Sequence, residues 1–257
     1  MPVARNGDVR IHYGVDGDGG RGTVVFVGDA VHGAWQWAWQ ASALAGPFET
    51  LVTDVRGAGR SDAPPGPYSI TDVADDVRAV LRDHGVADAH VVGRGLGGMA
   101  ALELARTSSR VRRLFLLGTA ARGAGLPLDD AYAPPTDREG LRSSLSALLS
   151  EEFLDEYPDE VERIVAWRAE EDASPDAFAA QRSAVESFDC ADSLYEVTTP
   201  ASVVHGGDDA VWPPDRGRAL ADGLPRGSHR ELDGAGHLVG VERARVVNDL
   251  LWAHLAD

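Results

Sequence analysis

Lysine is absent from the 257 residues, so all 24 basic side chains are arginine. Against them stand 41 acidic residues, for a net charge of −17. Cysteine is nearly absent too: Cys190 alone excludes an internal disulfide framework. No apolar run is long enough to span a bilayer, which needs about 20 residues. The opening MPVARNGDVRIHYGVDG lacks the basic-then-apolar form of a signal segment. The expectation is therefore a soluble, cytoplasmic protein. Its charge repels nucleic acid and anionic membrane, which leaves a small molecule as the expected partner and the oligomeric state open. Acid-rich, lysine-poor composition resembles the proteins of salt-loving archaea, where salt at about 1 M screens charge within roughly 3 Å. A GC-rich genome would explain the missing lysine but not the acid excess. The charge describes the solvent and not the substrate.

With 44% hydrophobic residues, the chain can bury one large core or two small ones. Valine-rich runs alternate with helical patterns, which predicts an α/β fold with a mostly parallel sheet covered on both faces. TVVFVGD (23–29), ETLVTDV (49–55), AHVVGRG (89–95), RRLFLLGT (112–119) and ASVVHGG (201–207) are the inner-strand candidates. DVRIHYGVDG near the start and SHRELDG (228–234) read as outer strands. Ile70, Val73, Val77, Val80 and Leu81 keep helical spacing, and Gly85 follows as a stop. Val247, Leu250 and Leu251 mark a closing helix. Residues 121–190 break the alternation, with helical patterns and no strand. Leu141, Leu145, Leu148 and Leu149 share one face, and a Ser-Pro start precedes DAFAAQRSAVESF. Such an insertion sits over the carboxyl ends of the strands, where ligands bind. The expected division is a core of 1–120 and 191–257 under a helical lid of 121–190.

VVGRGLGGMAALELA (91–105) is a strand, a glycine-dense turn and a helix. Gly93, Gly95 and Gly98 satisfy G-x-G-x-x-G, the dinucleotide fingerprint. That fingerprint belongs after the first strand of its unit, with an acid ending the next strand. Here the turn follows a middle strand, and the next one ends LLGTAARGAG, without an acid. No cofactor is expected. The same frame fits the G-x-S-x-G nucleophile elbow, with Gly95 at the serine position and small residues, Gly93 and Gly97, two steps away on either side. An acid and then a histidine should follow, and VVHGGDDAVWPP and DGAGHLVG supply them in that order.

With these motifs in place, the chain resembles the α/β-hydrolase superfamily from end to end. DVRGAGRSDAPPGPYSI (54–70) is most similar to the 3-oxoadipate enol-lactonase-like branch. The resemblance implies Asp209 as the triad acid and His237 as the base. It implies the backbone N–H groups of Ala30 and Leu96 as oxyanion donors, and a vacant nucleophile position at Gly95. Asp208 competes with Asp209, but the spacing from His205-Gly206 favours Asp209. A metal reading through His205, Asp208 and His237 lacks a tight ligand pair, and no metal is expected. Asp29, His32, Arg94 and Trp212 are possible pocket residues; Trp37 reads as core and Ser61 as structural. There is a second departure from the family pattern, since Gly28-Asp29 stands where the family's oxyanion loop opens with His-Gly.

Three functions remain open. In one, which makes the chain an enzyme, His237 oriented by Asp209 is a general base acting on a small carbonyl or ester-type substrate under the lid. In another, the chain is an inactive homologue that binds a ligand or partner. In the third, it is a hydrolase whose nucleophile comes from elsewhere, such as Asp29. With Gly95 taken as an empty place, Gly95→Ser is expected to restore esterase activity.

Overall fold

A computed structural model describes residues 1–256. Among these residues eight strands form one sheet: β1 (Val3–Asn6), β2 (Val9–Asp16), β3 (Thr23–Val27), β4 (Glu49–Thr53), β5 (Ala89–Arg94), β6 (Val111–Leu117), β7 (Ala201–Gly206) and β8 (Gly227–Leu232). Their spatial order is β1-β2-β4-β3-β5-β6-β7-β8. The pairs β1–β2 and β2–β4 are antiparallel; the other five are parallel. Each strand expected from the valine-rich runs is present, and the two expected at the margins lie outside the inner five. The short β1 was not foreseen. VARN offers little apolar pattern, and its only strand partner is β2.

Among the described residues there are ten helices: α1 (Ala38–Leu44), α2 (Ile70–Asp83), α3 (Leu96–Thr107), α4 (Arg138–Ser144), α5 (Glu151–Glu156), α6 (Pro158–Glu171), α7 (Pro175–Ser187), α8 (Pro214–Gly223), α9 (Val239–Glu242) and α10 (Ala244–Ala256). Alternate strand residues feed two cores. Val24, Phe26, Val92 and Phe115 pack with Trp37, Val247 and Leu251 on one face. Val25, Val27, Val91 and Leu114 pack with the apolar stripes of α2 and α3 on the other. The α2 stripe begins at a reciprocal cap, in which Ser69 and Asp72 each accept the other's backbone N–H. It stops before Gly85, whose φ of 74° lies in the left-handed region.

Between β6 and β7 the chain contains α4 to α7 and short 3₁₀ turns, with no strand. The leucine face runs through α4 into a 3₁₀ turn at Leu145–Ala147, and Leu141, Leu145, Leu148 and Leu149 are all buried. The ends of this insertion are laced together: Cys190 N–H donates to the Ala121 carbonyl at 2.9 Å and Gly123 N–H to that of Phe188 at 3.1 Å. The parallel register sets Val27 opposite Gly93 and Gly93 opposite Leu116. The loops after β3, β5, β7 and β8 therefore leave the sheet at one edge.

Candidate active site

The turn after β5 has the strained geometry of an elbow. Gly95 sits at φ 50°, ψ −118°, a conformation costly for any residue with a Cβ. Its carbonyl accepts the Thr119 hydroxyl at 2.7 Å. A Cβ on Gly93 would lie 2.5 Å from the Gly97 carbonyl oxygen, and one on Gly97 would overlap the Val27 carbonyl. Close approach of strand and helix thus explains both glycines.

Asp209 lies in the loop after β7 and is buried, while its neighbour Asp208 is exposed. Asp209 Oδ1 accepts the backbone N–H groups of Val211 (3.0 Å) and Trp212 (2.8 Å), and Oδ2 lies 2.8 Å from His237 Nδ1. The Trp212 ring lies nearly parallel to that of His237, at 15° with centroids 6.4 Å apart. Of the two neighbouring aspartates, Asp209 is the one whose carboxylate meets His237.

The space above Gly95 is not empty. His237 Nε2 lies 2.8 Å from Asp29 Oδ2. Asp29 Oδ1 accepts the N–H groups of Ala30 and Leu96, both at 2.7 Å. One carboxylate therefore takes both N–H groups expected as oxyanion donors and fills the space above Gly95, and a Cβ on residue 95 would overlap it. This corrects two expectations: Gly95 is not a vacancy, and Gly95→Ser alone has no room for its side chain. It also removes the free Nε2 and open hole that a simple His237–Asp209 base requires. The sequence carried the clue in Gly28-Asp29, but only the fold brings residue 29 to residue 237.

Electrostatics make this array an ion triad. Burial would lower the His237 pKa, but the charge and hydrogen bond of Asp209, then those of Asp29, raise it to about 9. Burial would raise Asp29; the His237 hydrogen bond and charge, Arg94 and the Leu96 N–H overcome this and hold it below the usual carboxylate range. At neutral pH an imidazolium therefore donates to a carboxylate on either side.

The insertion grips the loop that carries Asp29. Val31 has φ 76°, a strained value for a β-branched residue. Its N–H donates to Gln181 Oε1 (2.8 Å), and its carbonyl accepts Ala173 N–H (2.7 Å). Asp172 accepts Trp35 Nε1–H (3.0 Å) and Arg168 Nε–H (2.7 Å), and its Oδ2 lies 3.2 Å from His32 Nδ1. His32 is thus committed to the insertion, and burial lowers its pKa to about 4 despite Asp172. Gln36 braces the loop from inside, accepting Asp29 N–H (3.0 Å) and donating to the carbonyls of His32 (3.1 Å) and Gly33 (2.9 Å). Across the site, Leu238 N–H donates to the Leu148 carbonyl at 2.8 Å. Sequence reasoning missed Gln36, Asp172 and Gln181, because polar residues in ordinary helical patterns carry no mark of a distant partner. Ser61 is structural, donating to the Asp54 carbonyl (2.7 Å) and accepting His12 N–H (2.9 Å). Trp37 packs in the core, as expected.

Residues 24–250 match the model of the Alpha/beta hydrolase family. The chain is 31% identical to the "Putative carbamate hydrolase RutD" of Azorhizobium caulinodans, over 98% of this chain and 97% of that protein. It is 24% identical to 3-oxoadipate enol-lactonase 2 of Acinetobacter baylyi, over 96% and 93%. The enol-lactonase of Burkholderia xenovorans superposes with a TM-score of 0.90 at 27% identity, over the whole of both chains.

Proposed function

Because the chain belongs to the alpha/beta hydrolase family, we propose that it is a hydrolase in which the Asp29 carboxylate replaces the elbow serine. The observation that carries this reading is the double engagement of Asp29, with Oδ2 at 2.8 Å from His237 Nε2 and Oδ1 on both oxyanion N–H groups at 2.7 Å. Oδ2 attacks an electrophilic carbon of a small substrate, the bond to the leaving group breaks on the opposite face so that the group departs as an anion, and His237 Nε2–H, which has lost the charge of Asp29 beside it, releases its proton to water. The product is a neutral ester on Asp29, and His237 is left neutral beside Asp209. It is now a base. Water gives His237 a proton and attacks Cγ, and the developing oxyanion on Oδ1 already lies in its hole. Collapse expels the alcohol, which takes the proton from His237. The regenerated carboxyl then returns its own proton to His237, restoring the ion triad.

The hole serves the second step and is filled by Oδ1 during the first. That order favours attack at saturated carbon, which develops no oxyanion, over attack at a carbonyl. The relatives named as a carbamate hydrolase and an enol-lactonase support hydrolysis of small polar compounds in general. Asp209 orients and stabilises His237, and residues 121–190 act as the lid that admits substrate to the buried site. The second reading is an inert binding homologue, favoured by the complete mutual satisfaction of Asp29, His237 and Asp209.

Mass spectrometry separates the two. With 2-bromopropionate as the alkylating probe, His237→Gln should accumulate an ester on the Asp29 peptide, while the wild type turns over. In H₂¹⁸O, wild-type turnover should place label in Asp29. An unmodified Asp29 in both experiments, with no bromide released, would leave the inert reading.

A further inference from the structure

Arg94, the last residue of β5, is 1% exposed, and its Nε and Nη2 have no hydrogen-bond partner among the described residues. The other buried arginines differ. Arg168 places Nε on Asp172 (2.7 Å), Nη1 on the Leu141 carbonyl (3.0 Å) and Nη2 on the Ala131 carbonyl (3.0 Å). Arg56 grips both oxygens of Asp76, at 2.6 and 2.7 Å. A buried guanidinium with unmet N–H groups is expensive. Nor does a neighbour relieve it in this arrangement. Burial lowers its pKa to about 10 against the raising fields of Asp29, Asp209 and Asp172, so the cation lies among these carboxylates. Yet each of them is already engaged at both oxygens. Asp29 holds two backbone N–H groups and His237. Asp209 holds two backbone N–H groups and the same ring. Asp172 holds Gly33 N–H (3.4 Å) and Trp35 on one oxygen, and His32 and Arg168 on the other.

The free nitrogens also specify a shape. Nε–H and Nη2–H point in parallel from one edge of the guanidinium, the edge that meets two oxygens of a planar anion. We propose that Arg94 anchors the carboxylate of the substrate, so that the site takes small carboxylic acids. This rests on reading the site as one that binds substrate, though not on Asp29 being its nucleophile.

Propionate tests the anchor without turnover. Potassium propionate is exchanged for potassium chloride at constant total salt, so that screening stays fixed. Wild-type melting temperature should rise saturably, by roughly 5–10 °C at about 100 times Kd. Arg94→Met and Arg94→Gln should lose the rise, Arg94→Lys should keep a weakened one, and Asp29→Asn should retain it. Without propionate, Arg94→Met and Arg94→Gln should melt close to the wild type, because removal of an unsatisfied buried cation offsets the loss of its field on Asp29. The anchor is overturned if the wild type gives no saturable rise, or if Met and Gln at position 94 leave the rise intact. A large fall in melting temperature for both variants would instead make Arg94 a structural counter-charge. Loss of the Asp29 adduct with the propionate response intact would count against the nucleophile alone.

Discussion

Asp29 and Gly95 form one unit. The carboxylate occupies the space a Cβ on residue 95 would need, so the glycine is required by its neighbour as well as by its φ of 50°. Gly95→Ser should therefore lose stability by more than the roughly 1–3 kcal/mol of backbone strain, and gain no burst of p-nitrophenyl acetate hydrolysis. Asp29→Gly combined with Gly95→Ser clears the overlap. It frees the N–H groups of Ala30 and Leu96 and leaves His237 facing a hydroxyl. Stopped-flow assay should show a burst in the double variant and none in either single one. A burst from Gly95→Ser alone would mean that Asp29 leaves the site easily.

Among the elements, the insertion acts as a clamp on the loop after β3. Arg168 in α6 and Asp172 just beyond it form a fully buried ion pair at 2.7 Å. The same guanidinium closes off two carbonyls, those of Leu141 and Ala131. Removing one partner of such a pair leaves an uncompensated buried charge, at a cost of about 3–5 kcal/mol. Beside the intact pair His32 adds no charge, because burial, with the field of Arg168 adding to it, lowers its pKa to about 4. Arg168→Met should fall in stability by that amount in denaturant titration. The strained Val31 should relax with it, detectable as faster amide exchange at Ala30 and Val31. Loss of less than about 1 kcal/mol would mean that the clamp is dispensable.

For the whole molecule the dominant fact is −17. Surface arginines do find acids, as in Arg138–Glu162 (3.0 Å) and Arg182–Asp129 (2.7 Å), yet acids outnumber arginines 41 to 24. Salt weakens these pairs, but it also screens the repulsion among the unpaired acids, and the second effect involves more charges. Melting temperature should rise from dilute buffer to about 2 M KCl. A curve flat in salt would leave codon usage as the account of the missing lysine.

The amino-acid sequence determined the fold and its frame. Periodicity located the seven main strands and the helical stretch between β6 and β7, because alternation and 3.6-residue spacing are local properties of the chain. Glycine spacing located the elbow for the same reason, and the offset from His205-Gly206 selected Asp209 over Asp208. Only tertiary structure decided what fills the site. Asp29 and His237 are 208 positions apart in the chain and 2.8 Å apart in space. No local pattern records that approach. The same holds for Gln181 on Val31 and for the unpaired edge of Arg94, since a hydrogen bond made or missing across the fold depends on where the parallel register carries each loop.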